Sequence, residues 1–198
     1  MSTLVLASSS ASRAKLLTAA GIAITVDPAM VDEAALKREA RTTGQDAEAT
    51  ALRLAEAKAR AVAPRHPGAL VLGADQMLDC AGIWYDKPAD RADARRQLLA
   101  LSGRSHALIT AAAILRDGDV LWRVVECPVL TMRRFSEAFL ERYLAAMGER
   151  VLATVGGYEL EGLGAQLMAR IEGDYFAILG LPLLPLLEFL RSEGAVSS

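Results

Sequence analysis

A strand, a hydroxyl-rich turn and a helix follow one another at the start of this chain, and that order commits it to an α/β architecture. Residues 4–7, Leu-Val-Leu-Ala, read as a short apolar strand running into Ser8, Ser9 and Ser10. An amphipathic helix begins near Ser10 and carries Ala14, Leu16, Leu17 and Ala20. Small hydroxyl residues at such a junction cap orphan helix N–H groups. They also leave N–H donors and the positive end of the helix dipole available to an anion. Arg13, one turn in, adds a permanent guanidinium able to grip phosphate or carboxylate with two parallel hydrogen bonds. Taken alone, the same pattern is also that of an ordinary capped helix with a solvated arginine, so the choice falls to the rest of the chain.

Its 198 residues suit one domain, or one domain of two lobes. A chain of this size buries roughly 70% of its unfolded surface, and a hydrophobic fraction of 53% supplies the core. The net charge of −2 gives no long-range attraction to nucleic acid or to an anionic membrane. Positive groups for an anionic ligand must therefore be local. Cys80 and Cys127 are far apart and lack CxxC spacing, which reads as free thiols in a reducing compartment. No basic segment leads into an apolar run of signal-peptide length. The apolar stretch 178–190 is interrupted by Gly180, Pro182, Pro185 and Glu188, too short and broken to span a bilayer. A soluble, cytoplasmic protein with neither membrane nor nucleic acid as partner is expected.

Along the chain, Gly21 is placed to end the first helix, and residues 22–26 read as a second strand. Residues 28–39 are less regular and hold Asp32-Glu33, an acidic pair expected in a loop. Residues 46–62 give a strong helix signal, with Ala51, Leu54, Ala55 and Val62 on one stripe. Lys58 falls on that stripe too, where an ammonium either snorkels to the edge or points into a cleft. Residues 69–74 form a fully buried strand expected to end on Asp75-Gln76, the carboxyl end where open α/β sheets place ligand chemistry. A hairpin turn at Gly82 and a helix over 91–101 capped by Asp90 follow. Two β-prone runs, 106–115 and 120–132, form a hairpin about Asp117-Gly118-Asp119. Ser136 caps a helix over 137–147, and a glycine-dense loop covers 156–164. Residues 166–171 read as strand, 173–176 as a turn, and Pro182 suits the first turn of a last helix reaching about Arg191.

Ser8, Arg13, Glu33, Lys58, Asp75, Gln76 and Lys87 stand at junctions or in registers that structure alone does not explain. Three cations and two carboxylates among them fit phosphoryl chemistry. The cations and the serine turn would neutralise a polyphosphate, and carboxylate oxygens would hold a hard divalent ion. The only histidines, His66 and His106, lie far apart, which argues against a zinc site of the His/Cys type. Neither GxxxxGK[ST] nor GxGxxG occurs. The phosphate holder, if there is one, is the serine turn.

These residues fall in a recognisable series. Leu6-Ala-Ser8-x-Ser10-x-x-Arg13-x-x-Leu16-Leu17, Asp32-Glu33, Leu54-Ala55-x-x-Lys58-Ala59 and Leu72-Gly-Ala-Asp75-Gln76 occur in order. Lys87-Pro88, Ser102-Gly103 with His106 and Thr110, Gly157-Tyr158-x-x-Glu161-Gly162, and Gly180-Leu-Pro182 complete it. From residue 4 to about residue 191 the chain resembles the Maf family of nucleoside triphosphate pyrophosphatases. The resemblance implies an elongated mixed α/β sheet in two lobes flanked by helices, with a nucleotide cleft between the lobes, in a homodimer. It implies hydrolysis of a nucleoside triphosphate to monophosphate and diphosphate with a divalent cation such as Mg2+ or Mn2+, a house-cleaning activity on non-standard nucleotides. Asp75 would be the proton acceptor. Ser8, Arg13, Lys58 and Lys87 would bind phosphate, and Glu33 with Asp75 would hold the metal.

Three positions track base choice in that family, here Ser12, Gln76 and Glu161. Gln76 and Glu161 resemble the branch acting on 7-methyl-GTP rather than the dTTP/UTP branch, while Ser12 matches neither, so the base stays open. A carboxylate at 161 would accept hydrogen bonds from a guanine edge or pair with a cationic methylated base. The competing reading is a nucleotide-binding regulator of septum formation without essential catalysis. A third is a phosphomonoesterase or nucleotidyltransferase built on the same cations.

Overall fold

The computed structural model describes residues 4–197. In chain order the elements are β1 (Leu4–Leu6), α1 (Ala11–Ala19), β2 (Ile24–Val26), α2 (Glu33–Thr42), α3 (Ala47–Val62), β3 (Leu70–Cys80), β4 (Ile83–Tyr85) and α4 (Arg91–Leu101). There follow β5 (Ser105–Arg116), β6 (Asp119–Glu126), β7 (Val129–Met132), α5 (Glu137–Met147), β8 (Met168–Glu172), α6 (Tyr175–Ile178) and α7 (Leu183–Ser192). The strands make an open eight-stranded mixed sheet ordered β2-β1-β3-β5-β7-β8, with β4 added to β3 and β6 to β5. Two compact units share it. The first takes the chain up to Gln76, Thr110–Glu126 and everything from Asp174 onward; the second takes Met77–Ile109 and Cys127–Gly173.

In the first unit β1 runs parallel to both β2 and β3, with Leu6 opposite Leu72. Strand side chains alternate between faces, and both faces here are buried. Leu4, Leu6, Leu70, Leu72, Ala112 and Ile114 pack with Leu17 of α1 and with Leu183, Leu186 and Leu190 of α7. Val5, Ala7, Val71, Ala113 and Leu115 face the other way, onto Ala59 and Val62 of α3. This explains why the strands read as continuous apolar runs instead of alternating ones. Gly73 lies on the α3 side. A Cβ there would sit 2.0 Å from the Ala55 carbonyl oxygen and 2.8 Å from the Ala59 amide nitrogen. Helix and strand therefore touch backbone to backbone, which only glycine permits.

In the second unit β5 pairs antiparallel with β7 and β7 with β8, while β3 and β4 form a hairpin with Cys80 opposite Ile83. Ser136 Oγ caps α5 by accepting from Phe139 N at 3.2 Å. His106 is buried, with Nε2 2.7 Å from the Tyr158 hydroxyl, and the Tyr143 hydroxyl donates to the Gly157 carbonyl at 3.0 Å. These bonds hold the glycine-dense loop against β5 and α5.

Several elements depart from the sequence expectation. The irregular stretch 28–39 holds the start of α2, because Asp32 is its N-cap, accepting from Ala35 N at 2.8 Å, and Glu33 favours the dipole in its first turn. β3 does not end at Asp75-Gln76 but continues to Cys80, since the hairpin with β4 extends its ladder. The run 120–132 is two strands. Cys127-Pro128 divides it, proline having no N–H for a ladder, so β6 pairs the far half of β5 and β7 the near half. Residues 173–176 contribute to a short helix, α6, capped by Asp174. Pro182 occupies the N-cap of α7, one position before its first turn.

Candidate active site

The site is assembled where β1 ends beside a β3 that continues. Ala7 N still donates to Leu72 O at 2.8 Å, after which the chain leaves the sheet through Ser8, Ser9 and Ser10. Ser10 N bonds to Ser8 Oγ at 3.2 Å, and Ser10 Oγ accepts from Arg13 N as the N-cap of α1. That turns Arg13 inward, where it is only 8% exposed. Its Nε donates to the Gly180 carbonyl at 2.7 Å and its Nη1 to Ser8 Oγ at 3.0 Å. Gly180 sits at φ +104, a backbone region that favours glycine, and so its carbonyl can face the arginine. Burial holds the Arg13 pKa below its ordinary value, although the charges of Asp75 and Glu33 oppose the shift. The guanidinium stays charged across the working pH range.

Lys58 resolves the ambiguity of its register by pointing inward. α3 lies so close over Gly73 that Lys58, one turn beyond Ala55, reaches Asp75, two residues beyond Gly73. Lys58 Nζ is 2.6 Å from Asp75 Oδ1 and 2.8 Å from Glu33 Oε1. One ammonium thus joins two carboxylates, one at the start of α2 and one in β3. Desolvation opposes ionisation of Glu33, but the charge and hydrogen bond of Lys58, with Lys37 and Arg13 behind, hold its pKa below the ordinary value. Asp75 is buried, and its Oδ2 has no hydrogen-bond partner among the described residues. An unsatisfied buried carboxylate oxygen is costly, and it marks where a donor or a cation would be bound.

Gln76, next in β3, points to the opposite face. Its Nε2 lies 2.9 Å from Thr110 Oγ1, 2.9 Å from the Ala177 carbonyl and 3.1 Å from the Ile178 carbonyl. Ser8, Arg13, Glu33, Lys58 and Asp75 are therefore brought together within the first unit, with Gln76 on the reverse of the same strand. Ser12 is exposed on α1. Lys87, between β4 and α4, and Glu161, in the glycine-dense loop, are both exposed and belong to the second unit. Sequence reasoning missed the Gly180 carbonyl as the brace of Arg13, although the Gly180-Leu-Pro182 motif marked the place. It also missed the contact at Gly73, whose signal was a glycine two residues before the aspartate.

The donor set suits a hard divalent ion brought with a phosphate. No cluster of three or more His, Cys, Asp or Glu side chains is gathered for a metal among the described residues. Magnesium is usually held by one or two carboxylates, with water and substrate phosphate completing the shell. Glu33 and Asp75 Oδ2, which has no partner among the described residues, would provide that number.

An open α/β sheet thus carries a serine and an arginine just beyond the end of β1, and a lysine joined to two carboxylates beside β3, a set of donors suited to an anionic ligand. Residues 3–193 match the family described as Maf-like protein, and the chain belongs to that family. It is 55% identical over 190 residues to the nucleoside triphosphate pyrophosphatase of Paramagnetospirillum magneticum, covering 96% of this chain and 98% of that one. The nucleoside triphosphate pyrophosphatase of Granulibacter bethesdensis is 50% identical over 194 residues, 98% of each chain. The 7-methyl-GTP pyrophosphatase of Mesorhizobium japonicum is 52% identical over 193 residues, 98% of this chain and 97% of its own. No helix among the described residues is long and apolar enough to cross a membrane.

Proposed function

We propose that this chain is a nucleoside triphosphate pyrophosphatase, converting a nucleoside triphosphate and water to the monophosphate and diphosphate. The relatives' names favour hydrolysis over a purely regulatory nucleotide-binding role. The observation that carries the reading is the buried Asp75, one oxygen on Lys58 and the other without a partner among the described residues, beside an inward-facing arginine.

In this reading Asp75 orients a water and accepts its proton as the water oxygen bonds to the α-phosphorus and the bond to the α–β bridging oxygen breaks. The electron pair leaves with diphosphate. Arg13, Lys58, Lys87, the Ser8 hydroxyl and the serine-turn amides bind the phosphates and meet the charge that builds on their oxygens. Glu33 and Asp75 would hold a divalent cation, which supplies charge neutralisation and polarisation of a phosphoryl oxygen. Ser12, Gln76 and Glu161 are the positions we associate with base choice, and a homodimer in the cytoplasm belongs to the same proposal. Incubation with GTP, 7-methyl-GTP, dTTP and UTP, with products separated by ion exchange, tests it. Monophosphate plus diphosphate is expected, fastest from 7-methyl-GTP if Glu161 pairs with a cationic base. Orthophosphate as the sole phosphate product would instead point to a phosphatase, and equal rates would remove Glu161 as a base reader.

A further inference from the structure

Behind Arg13 lies a small polar network built on Gln76 and Thr110. Thr110, fully buried in β5, donates its single hydroxyl hydrogen to the Ala177 carbonyl at 2.8 Å and accepts from Gln76 Nε2 at 2.9 Å. Two backbone carbonyls, Ala177 and Ile178, face that same nitrogen, which fixes the orientation of the amide. Both carbonyls end α6, and α6 is pinned at its other end by Asp174 Oδ1 accepting from Ala177 N at 2.6 Å. The chain then turns, with Gly180 N donating to the Ala177 carbonyl at 3.0 Å, and presents the Gly180 carbonyl to Arg13 Nε. A four-residue helix has little stability of its own. Its place must come from these bonds.

We propose that Gln76 and Thr110 are positioning residues for Arg13: they hold the turn at 177–180 so that the Gly180 carbonyl fixes the guanidinium for phosphate. This rests on the nucleotide reading of the site. It gives Gln76 a task that does not depend on the base, because both of its N–H groups are already engaged by the turn and by Thr110.

The test is steady-state kinetics on Thr110→Val, which keeps the shape and removes the hydroxyl, on Thr110→Ser, which restores it, and on Thr110→Val combined with Arg13→Lys. Thr110→Val is expected to raise KM for triphosphate about tenfold with a much smaller change in kcat, as loss of a buried hydrogen bond predicts. The increase should be the same factor for a purine and a pyrimidine triphosphate. Thr110→Ser should recover most of it, and in the Arg13→Lys background the valine should add less than about twofold. Should Thr110→Val not fold, Gln76→Met removes the amide donor and leaves the threonine bond in place; on one fixed triphosphate it should raise KM by a similar factor, and by less than about twofold in the Arg13→Lys background. An unchanged KM, an equal penalty with and without Arg13, or a penalty confined to one base overturns the proposal alone. Wild-type kinetics in Arg13→Lys by itself would overturn the proposal, whereas a wild-type protein that releases no diphosphate from any triphosphate would overturn the nucleotide reading beneath it.

Discussion

Gly73→Ala should damage stability and turnover together, through a single contact. The added methyl would lie 2.0 Å from the Ala55 carbonyl oxygen, where about 3.4 Å is the start of ordinary contact. Gly73 has no left-handed backbone to strain, so the whole effect comes from this overlap. Relief requires α3 and β3 to separate by roughly 1.4 Å at their crossing. Overpacking of this kind costs about 1–3 kcal/mol, which for a protein of this size lowers Tm by roughly 2–12 °C. The same displacement carries Lys58 away from Asp75. A bond of 2.6 Å lengthened by about that amount is no longer a hydrogen bond. A misplacement near 1 Å in a catalytic group costs about 10²-fold in rate. Thermal denaturation, and kcat/KM measured well below Tm, read the two effects separately. A variant with unchanged Tm, or one that loses stability but keeps wild-type kcat/KM, would refute the claim that this crossing sets the Lys58–Asp75 geometry.

Arg13→Lys should raise KM for triphosphate by about tenfold or more, because an ammonium cannot keep the Gly180 and Ser8 bonds and still face phosphate with a planar fork. Chelation of divalent ions should abolish turnover, and Glu33→Gln should raise the metal concentration needed for half-maximal rate, read by titration of Mg2+. His106 gives a stability prediction with a definite sign. Burial pushes its pKa down from 6.5 to about 4, and protonation would add a second buried N–H to a ring whose Nδ1 already lacks a partner among the described residues. Between those pH values the unfolded chain binds the proton and the folded one does not, so stability is full above about pH 6.5 and is lost as pH falls toward 4. The loss amounts to about 3 kcal/mol. Denaturant unfolding of the wild type and His106→Phe across that window should show the wild type alone losing this share. Parallel pH dependences would contradict it.

The helix caps at Ser10, Asp90 and Ser136 were legible because they are local: each accepts from an amide three residues on, a relation written entirely in the sequence. Asp32 obeyed the same rule and was passed over because residues 28–31 before it are irregular. Lys58 was conspicuous for its register, yet its direction depended on Gly73, which lets α3 approach β3 closely enough for an ammonium to reach a strand carboxylate. The membership of Ser8, Arg13, Glu33, Lys58 and Asp75 in one site was visible as a choice of residue types. Their arrangement was not. The brace on Arg13 comes from a carbonyl 167 residues away, and a backbone carbonyl carries no residue-type signal at all. The split of 120–132 into two strands turned on Pro128, whose missing N–H was there to be read.

In the proposed reaction Asp75 performs the chemistry while Arg13 and its neighbours hold the substrate. This is tested most directly by Asp75→Asn, which keeps the side-chain shape, with diphosphate release and nucleotide affinity measured on the same preparation. Release should fall by several orders of magnitude with nucleotide still bound at near wild-type affinity. Diphosphate release at the wild-type rate from that variant would contradict it.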